Sequence, residues 1–426
     1  MLSAKNSSPA TARSGVGTRR AVVAAVIGNA LEWFDIAIYA LMASYIGKAF
    51  FPGDNPGIQL VEAYAVFGIT FLIRPLGGLI LGSYADRRGR RRALVLTIRL
   101  MVLGTFLLAV LPGYDTIGVF APLGVIVARL VQGFAAGGEF GAATSFLIER
   151  DDRRKGFLGS FQFASQGFAT LLSAAFAAGL TALLPAAEMA SWGWRVPFVF
   201  GLLVGPAGYY LRKHVDESPR AEADRPESAV REVFRDQWGG LLIAGGALVV
   251  STALNFILQS LPAFAIKNLG LDASASFTAL LITSVLLTLV PPLAGMLSDR
   301  VGRIRMMSGA AVLIGISVVP LYLWVTSARS FAVLAVAMAA LGLLKAVYFG
   351  PLPAVMADAF PAKTRATGLA FSYNVSVGLF GGFTPTIATA LVTATGSPVS
   401  PGYYLAATAM VSLAALFAAH RRRGIR

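Results

Sequence analysis

The stretch GSYADRRGRRR (Gly82–Arg92) returns in weaker form as GMLSDRVGRIR (Gly295–Arg305). Asp86 and Asp299 stand about half the chain apart, and each copy follows the second apolar run of its half. A repeat at that period predicts a duplicated chain of two pseudo-symmetric six-helix bundles. Composition tells what kind of bundles these are. Of 426 residues, 56% are hydrophobic and 13% charged, with mean hydropathy +0.70, whereas a soluble domain is about 25% charged. Apolar runs of about 20 residues, long enough to cross a bilayer, occupy 21–47, 60–83, 93–112, 118–148, 157–184, 194–211, 239–265, 276–297, 304–326, 331–357, 366–393 and 402–419. The expected fold is an all-α membrane protein with twelve transmembrane helices.

The domain plan follows from the gaps between runs. Residues 1–20 form a serine-rich tail expected to be disordered, 21–211 the first bundle, 238–420 the second, and 421–426 a basic tail. Between the bundles, RKHVDESPRAEADRPESAVREVFRDQ (212–237) is polar and mixed in charge. It is a cytoplasmic linker whose VREVFRDQW end can form an amphipathic helix on the membrane surface. Residues 13–30 have the basic flank and apolar core of a signal peptide, but the apolar stretch runs past any cleavage point.

A net charge of +15 would suit nucleic-acid binding, yet its distribution excludes that. Most of the 36 basic residues fall on one side of the span array, including Arg19, Arg20, the Arg87–Arg92 cluster, Arg153 to Lys155 and Arg421 to Arg423. Lys48, Arg195, Lys267 and Arg329 fall on the other. This is the positive-inside pattern, so both termini are expected in the cytoplasm of a bacterium, with the spans in its inner membrane. No cysteine is present, and His214 and His420 are the only imidazoles, which leaves neither a disulfide framework nor a metal site. No cofactor is expected. A phosphate loop of the Gly-x-x-x-x-Gly-Lys-Ser/Thr kind is absent, excluding an ATP-driven pump in cis, and no nucleophile–base set points to an enzyme.

The repeated turn has its own chemistry. Gly89 permits a tight reversal, and Asp86 can pair with a base or lie against the N-terminus of a helix such as span 11. Arg87, Arg90 and Arg91 can reach a carboxylate such as Glu149. Such contacts exist only while this end is closed, so they would act as a latch, with Asp299 and Arg300 as the second copy. The arginines alternatively serve only to set topology.

The pattern Gly-x-x-x-Asp-Arg-x-Gly-Arg-Arg resembles the signature loop of the major facilitator superfamily. Within it, LEWFD (31–35), FLIRPLGG (71–78), RLVQGFAAGGE (129–139), WGWRVPF (192–198), DESP (216–219) and FGGFTP (380–385) are similar to the metabolite:proton symporter family. The resemblance spans the whole array. It implies proton-coupled transport of a small metabolite, with citrate, other carboxylates, oxoglutarate, shikimate, aromatic acids, proline and betaine all carried within the family.

Few ionisable residues lie inside the spans. They are Glu32 and Asp35 in span 1, Arg74 in span 2, Arg129 and Glu139 in span 4, and Lys345 in span 10. Arg99 sits near an end and snorkels. Burying a charge costs about 2.5–3.5 kcal/mol, so these groups should face a water-filled cavity and pair with one another. Protonating Asp35 at pH 7 costs roughly 4 kcal/mol from its reference value. The two costs are comparable, which is the balance a proton carrier needs. Glu32 lies on the same helical face as Asp35; one of the two is expected to titrate, Asp35 by preference, and the other to pair with Arg129 or Arg74. Glu139 is a further structural or gating acid beside the small run AAGG (135–138).

Arg129 and Lys345 occupy matching spans of the two halves. They suit an anionic substrate held by an arginine fork, or else each neutralises an acid of span 1. Arg74 is expected to line the same cavity. Polar stripes at helical spacing add Gln162, Gln166, Thr170 and Ser173 in span 5, and Ser251, Asn255 and Gln259 in span 7. Tyr373 and Asn374 in span 11, and Tyr39 in span 1, complete the expected lining. Gly378, Gly381, Gly382 and Pro385 mark span 11 as bendable. The expected function is a symporter importing a small organic acid anion with protons by alternating access, as a monomer. The alternative is proton-coupled uptake of a zwitterionic osmolyte. LEWFD and FLIRPLGG look like the osmolyte carriers, whose long C-terminal extension is not found here, while FGGFTPTIATALV looks like the citrate type.

Overall fold

In an apolar solvent every backbone amide must be satisfied within its own segment, and the chain answers with helices throughout. The computed structural model describes residues 15–88, 90–202 and 226–425. Gly89, the DESP motif and most of the linker lie outside the described residues, as do the side chains of Asp86, Arg87, Arg90, Arg91 and Glu139. The first half contains α1 (Gly15–Phe50), α2 (Pro56–Leu72), α3 (Arg74–Arg88), α4 (Arg90–Val110), α5 (Phe120–Ala135), α6 (Glu139–Ile148) and α7 (Lys155–Leu183). Residues 196–202 are also helical. Then come α8 (Pro226–Asp236), α9 (Trp238–Phe264), α10 (Ala273–Val301), α11 (Arg303–Ala328) and α12 (Phe331–Phe349). The chain finishes with α13 (Leu352–Asp358), α14 (Arg365–Val377), α15 (Thr384–Thr395) and α16 (Ser400–Arg423).

Among the described residues, nine helices are long and apolar enough to cross a membrane, and Val95–Val110 and Phe120–Ala135 are shorter apolar helices. The first helix begins at Gly15, so residues 15–20, expected in the disordered tail, extend it instead. Side-chain caps set several starts. Asn55 Oδ1 accepts from Gly57 N at 2.8 Å, with Pro56 at the first helical position, and Asp272 Oδ1 accepts from Ala275 N at 2.9 Å. These bonds satisfy amides that no earlier turn can reach. The turn GMLSDRVGRIR closes on Gly302, whose φ of +102° suits a residue without Cβ.

Among the described residues, several spans are interrupted where sequence weakens them. Span 2 breaks at Ile73, between α2 and α3, because Pro75 lacks the amide that would bond back into the preceding turn. Span 4 passes through a 3-10 turn at Ala136–Gly138. A Cβ on Gly137 would run into the Arg74 carbonyl, so the small run brings spans 2 and 4 into backbone contact. Span 11 passes through a π-helical turn at Gly378–Gly382, the bend its glycines predict.

The halves meet along two seams. On one, α7 lies against α10 over its whole length: Gly156 against Gly295, Gly167 against the Leu287 carbonyl, and Ala178 O accepting from Ser274 Oγ at 3.3 Å. On the other, Gly68 takes the ring of Phe383, Gly382 that of Phe71, and Gly141 the backbone of Ala366. The linker helix α8 docks on the second half, with Phe234 edge-on to Phe371 at 4.5 Å and Val233 fully buried.

Gly167→Val would put a branched side chain into the Leu287 carbonyl and drive α7 from α10. The expected result is a several-fold slower cross-link between cysteines placed at Ala178 and Ser274, measured in a chain with no native cysteine to interfere.

Candidate functional site

Asp35 is 6% exposed and Arg129 1%, yet they do not form the direct ion pair that buried opposite charges usually make. A relay joins them. Arg129 Nη1 donates to Gln132 Oε1 at 2.7 Å, Gln132 Nε2 donates to Thr105 Oγ1 at 2.9 Å, and Thr105 Oγ1 donates to Asp35 Oδ2 at 2.7 Å. Arg129 Nε also donates to Thr70 Oγ1 at 3.0 Å, and its guanidinium lies 4.2 Å over the Tyr39 ring. Tyr39 is held in turn by donating to the Ala63 carbonyl at 3.1 Å. Asp35 Oδ1 and Arg129 Nη2 have no hydrogen-bond partner among the described residues. Gly201 closes over the acid, since a Cβ there would stand 2.7 Å from Oδ1.

The Thr105 hydroxyl also lies 3.0 Å from the Met101 carbonyl. It has one hydrogen and two lone pairs. With Asp35 ionised, that hydrogen serves the carboxylate. With Asp35 protonated, the acid can donate to Thr105, which turns its own hydrogen to Met101. Both protonation states leave the relay satisfied.

Glu32 has a different setting. Arg74 Nη2 lies 3.4 Å from its Oε1, with the arginine 2% and the acid 10% exposed. The Arg74 guanidinium also sits 4.7 Å from the centre of Phe71 and 5.7 Å from that of Trp33. In the second half, Lys345 is 2% exposed. Its Nζ donates to Asn255 Oδ1 at 2.6 Å and lies 4.4 Å over Phe349. Among the described residues no carboxylate bonds to Arg129 or to Lys345.

The polar stripes are buried and partly joined across the halves. Gln166 Nε2 donates to Tyr373 Oη at 3.3 Å, Gln259 Nε2 to Thr170 Oγ1 at 3.4 Å, and Asn374 Nδ2 to the Gly137 carbonyl at 2.9 Å. Gln162 instead exchanges hydrogen bonds with Asn29 inside the first half. Direct contacts between the halves run among these residues. Phe256 packs edge-on against Phe67 and Phe71 at 5.3 and 5.4 Å. Arg99 is exposed on the outside of its helix.

At the end that carries the Asp299 turn, charge ties the halves together. Asp299 Oδ1 accepts from Gly156 N at 2.9 Å and Oδ2 from Phe157 N at 3.0 Å, both amides of the first turn of α7, where a helix dipole favours an anion. Arg303 bridges Asp299 and Asp358 at 2.9 Å each, and Lys155 reaches Asp358 at 3.4 Å. Glu149 is met by Arg365 at 3.3 Å. Arg303 takes the place expected for Arg300, which points out and is exposed. Asp299 lies in the last turn of α10 and Arg303 opens α11, so the reversal at Gly302 between them folds Arg303 back onto the acid, while Arg300 points away. Sequence reasoning missed Thr70, Thr105, Gln132, Arg303 and Asp358. Only Gln132, one turn from Arg129 on the same helix, carried a signal.

Two helical halves closing on buried charges, with ionic contacts at one end, define a membrane carrier of the alternating-access kind. The comparisons agree. Residues 21–240 match the family described as sugar (and other) transporter, and residues 250–424 match the Major Facilitator Superfamily. A citrate-proton symporter of Klebsiella pneumoniae is 35% identical over 100% of this chain and 97% of its own. A proline/betaine transporter of Escherichia coli strain K12 is 34% identical over 93% of this chain and 82% of its own. A crystal structure of a D-xylose-proton symporter shares the fold with TM-score 0.75 at 18% identity, covering 94% and 97% of the two chains. The chain belongs to the major facilitator superfamily, whose members here are transporters rather than enzymes.

Thr105→Val would remove the relay's central hydroxyl and orphan both Asp35 and Gln132, at about 1–3 kcal/mol each. A clear fall in thermal melting temperature is expected for Val and a small one for Thr105→Ser.

Proposed function

We infer that the chain is a proton-coupled symporter importing a small organic acid anion, such as citrate, a dicarboxylate or an aromatic acid. One observation carries this. Among the described residues, Arg129 and Lys345, from opposite halves, are buried cations bonded to neutral groups only, and a carboxylate-bearing substrate supplies the missing counter-charge. The full-length similarity to a citrate-proton symporter points the same way.

Asp35 is the proton carrier in this scheme, and Glu32, paired with Arg74, is structural. The relay through Thr105 accommodates either protonation state, whereas the Glu32–Arg74 contact depends on charge. When Asp35 takes a proton, Arg129 loses its nearest negative charge and holds an anion more strongly. By linkage the anion favours the proton equally. The halves then rock, the contacts of Asp299 and Glu149 break, and both ligands leave to the cytoplasm. Gln166, Asn255, Gln259, Tyr373 and Asn374 line the path. Asp86, Arg87, Arg90 and Arg91 form the matching latch, and Glu139 is a further gating acid. Twelve spans, both ends of the array on the cytoplasmic side, a bacterial inner membrane and a monomer belong to the same proposal.

A zwitterionic osmolyte is the second reading, favoured by the aromatic wall of Trp33, Phe67, Phe71 and Phe256 beside Glu32, which suits a quaternary ammonium. Proteoliposome uptake of citrate, dicarboxylates, aromatic acids, proline and betaine under an imposed pH gradient separates the two. Accumulation of an organic acid that collapses on adding a protonophore is expected; accumulation that survives it refutes proton coupling. The apparent KM should fall as external pH falls, because protonated Asp35 leaves Arg129 uncompensated. In Asp35→Asn that dependence should flatten and net accumulation vanish while exchange persists. Unimpaired organic-acid uptake by Lys345→Met would remove Lys345 from the site.

A further inference from the structure

Most aromatic contacts between the halves are edge-on or tilted, but two are face to face. Phe163 of α7 stacks on Phe349 of α12 with centroids 4.0 Å apart and planes at 12°. Phe140 of α6 stacks on Tyr373 of α14 at 3.5 Å and 8°. Both pairs lie about two turns in from the ionic contacts: Phe163 follows Gly156, Tyr373 follows Arg365, Phe349 precedes Asp358 and Phe140 precedes Glu149 along their helices. They form one layer between those contacts and Lys345.

Parallel rings this close bring like faces of their quadrupoles together, and rings ordinarily avoid that in favour of offset or edge-on packing. The first stack carries something that reverses the preference. Lys345 Nζ lies 4.4 Å over Phe349. Phe163 already covers one face of that ring, so the ammonium occupies the other. A cation on the far face draws π density away from the shared face and turns ring–ring repulsion into attraction.

We propose that Phe349 is the positioning residue through which the occupant of Lys345 works the gate: the bare ammonium holds the Phe163–Phe349 stack shut, and a substrate carboxylate that neutralises it releases the stack and frees the Asp299 end to open. This rests on Lys345 meeting the substrate, and it adds how binding at Lys345 reaches the gate. Because the ammonium acts through the ring, removing it imitates substrate, and an aliphatic side chain at 349 disconnects the two.

A double-mutant cycle without substrate tests this. Spin labels on cysteines replacing Arg154 and Arg305, exposed residues of opposite halves at that end, report the open-to-closed ratio by pulsed dipolar spectroscopy. Lys345→Met is expected to raise the ratio by roughly 3- to 10-fold with Phe349 present and to change it less than 2-fold in Phe349→Leu. Phe349→Tyr, which keeps a π face, should restore the response, and Phe163→Leu, should Phe349→Leu not fold, should abolish it. An equal effect of Lys345→Met in the Phe and Leu backgrounds overturns the proposal, as does a Tyr variant that behaves like Leu. Addition of citrate forms a separate arm: a coupled cycle with no response of the unmutated protein to citrate refutes citrate as substrate and leaves the ring's role standing.

Discussion

A charge taken out of water must be answered by its surroundings, and Arg129 shows how this protein meets that demand. No carboxylate bonds to it among the described residues. Gln132, Thr70 and the face of Tyr39 hold the guanidinium instead, while Asp35 is one hydroxyl and one amide away. A direct buried ion pair would have fixed both charges and resisted change. Neutral intermediaries keep the acid and the base in electrical contact and leave each able to take another ligand. The helices that supply them are those the break at Ile73 and the small run at 135–138 draw together.

The two halves solve the same problem unequally. The first contains three intramembrane acids, Glu32, Asp35 and Glu139, and two arginines, so it can hold a proton and balance it internally. The second offers Lys345 bonded to Asn255 and, among the described residues, to no carboxylate. Binding energy from an anion can therefore be realised fully only when the halves approach one another, which suits a machine that must close over its cargo. Glycines at 68, 156, 167, 295 and 382 make the approach close enough for backbone and rings to touch. The contacts at Asp299 and Glu149 add charge at one end, where a few hydrogen bonds can be broken and remade.

Much of the architecture was legible from residues alone because a bilayer leaves the chain little choice. Apolar runs longer than a soluble helix needs became helices within a few residues of their expected limits, as 276–297 and 304–326 did in Ala273–Val301 and Arg303–Ala328. The duplicated turn marked the pseudo-symmetry, and charge inside a span picked out Glu32, Asp35, Arg74, Arg129 and Lys345, since nothing but function or pairing repays that cost.

Partners were another matter. Which acid meets Arg74, and why Thr105 and Gln132 stand between Asp35 and Arg129, depends on how four helices rotate against one another, and a lone threonine in an apolar helix carries no signal of that. The same holds for Arg303 in place of Arg300: both are basic and near Asp299, and only the reversal at Gly302 turns one of them back toward the acid. The stacks of Phe163 on Phe349 and Phe140 on Tyr373 join residues nearly 200 or more positions apart in the chain, where no periodicity reaches. Local chemistry dictates what each span must be. Rotation and close approach between spans, set by where side chains are small enough to allow them, determine what each buried group can touch.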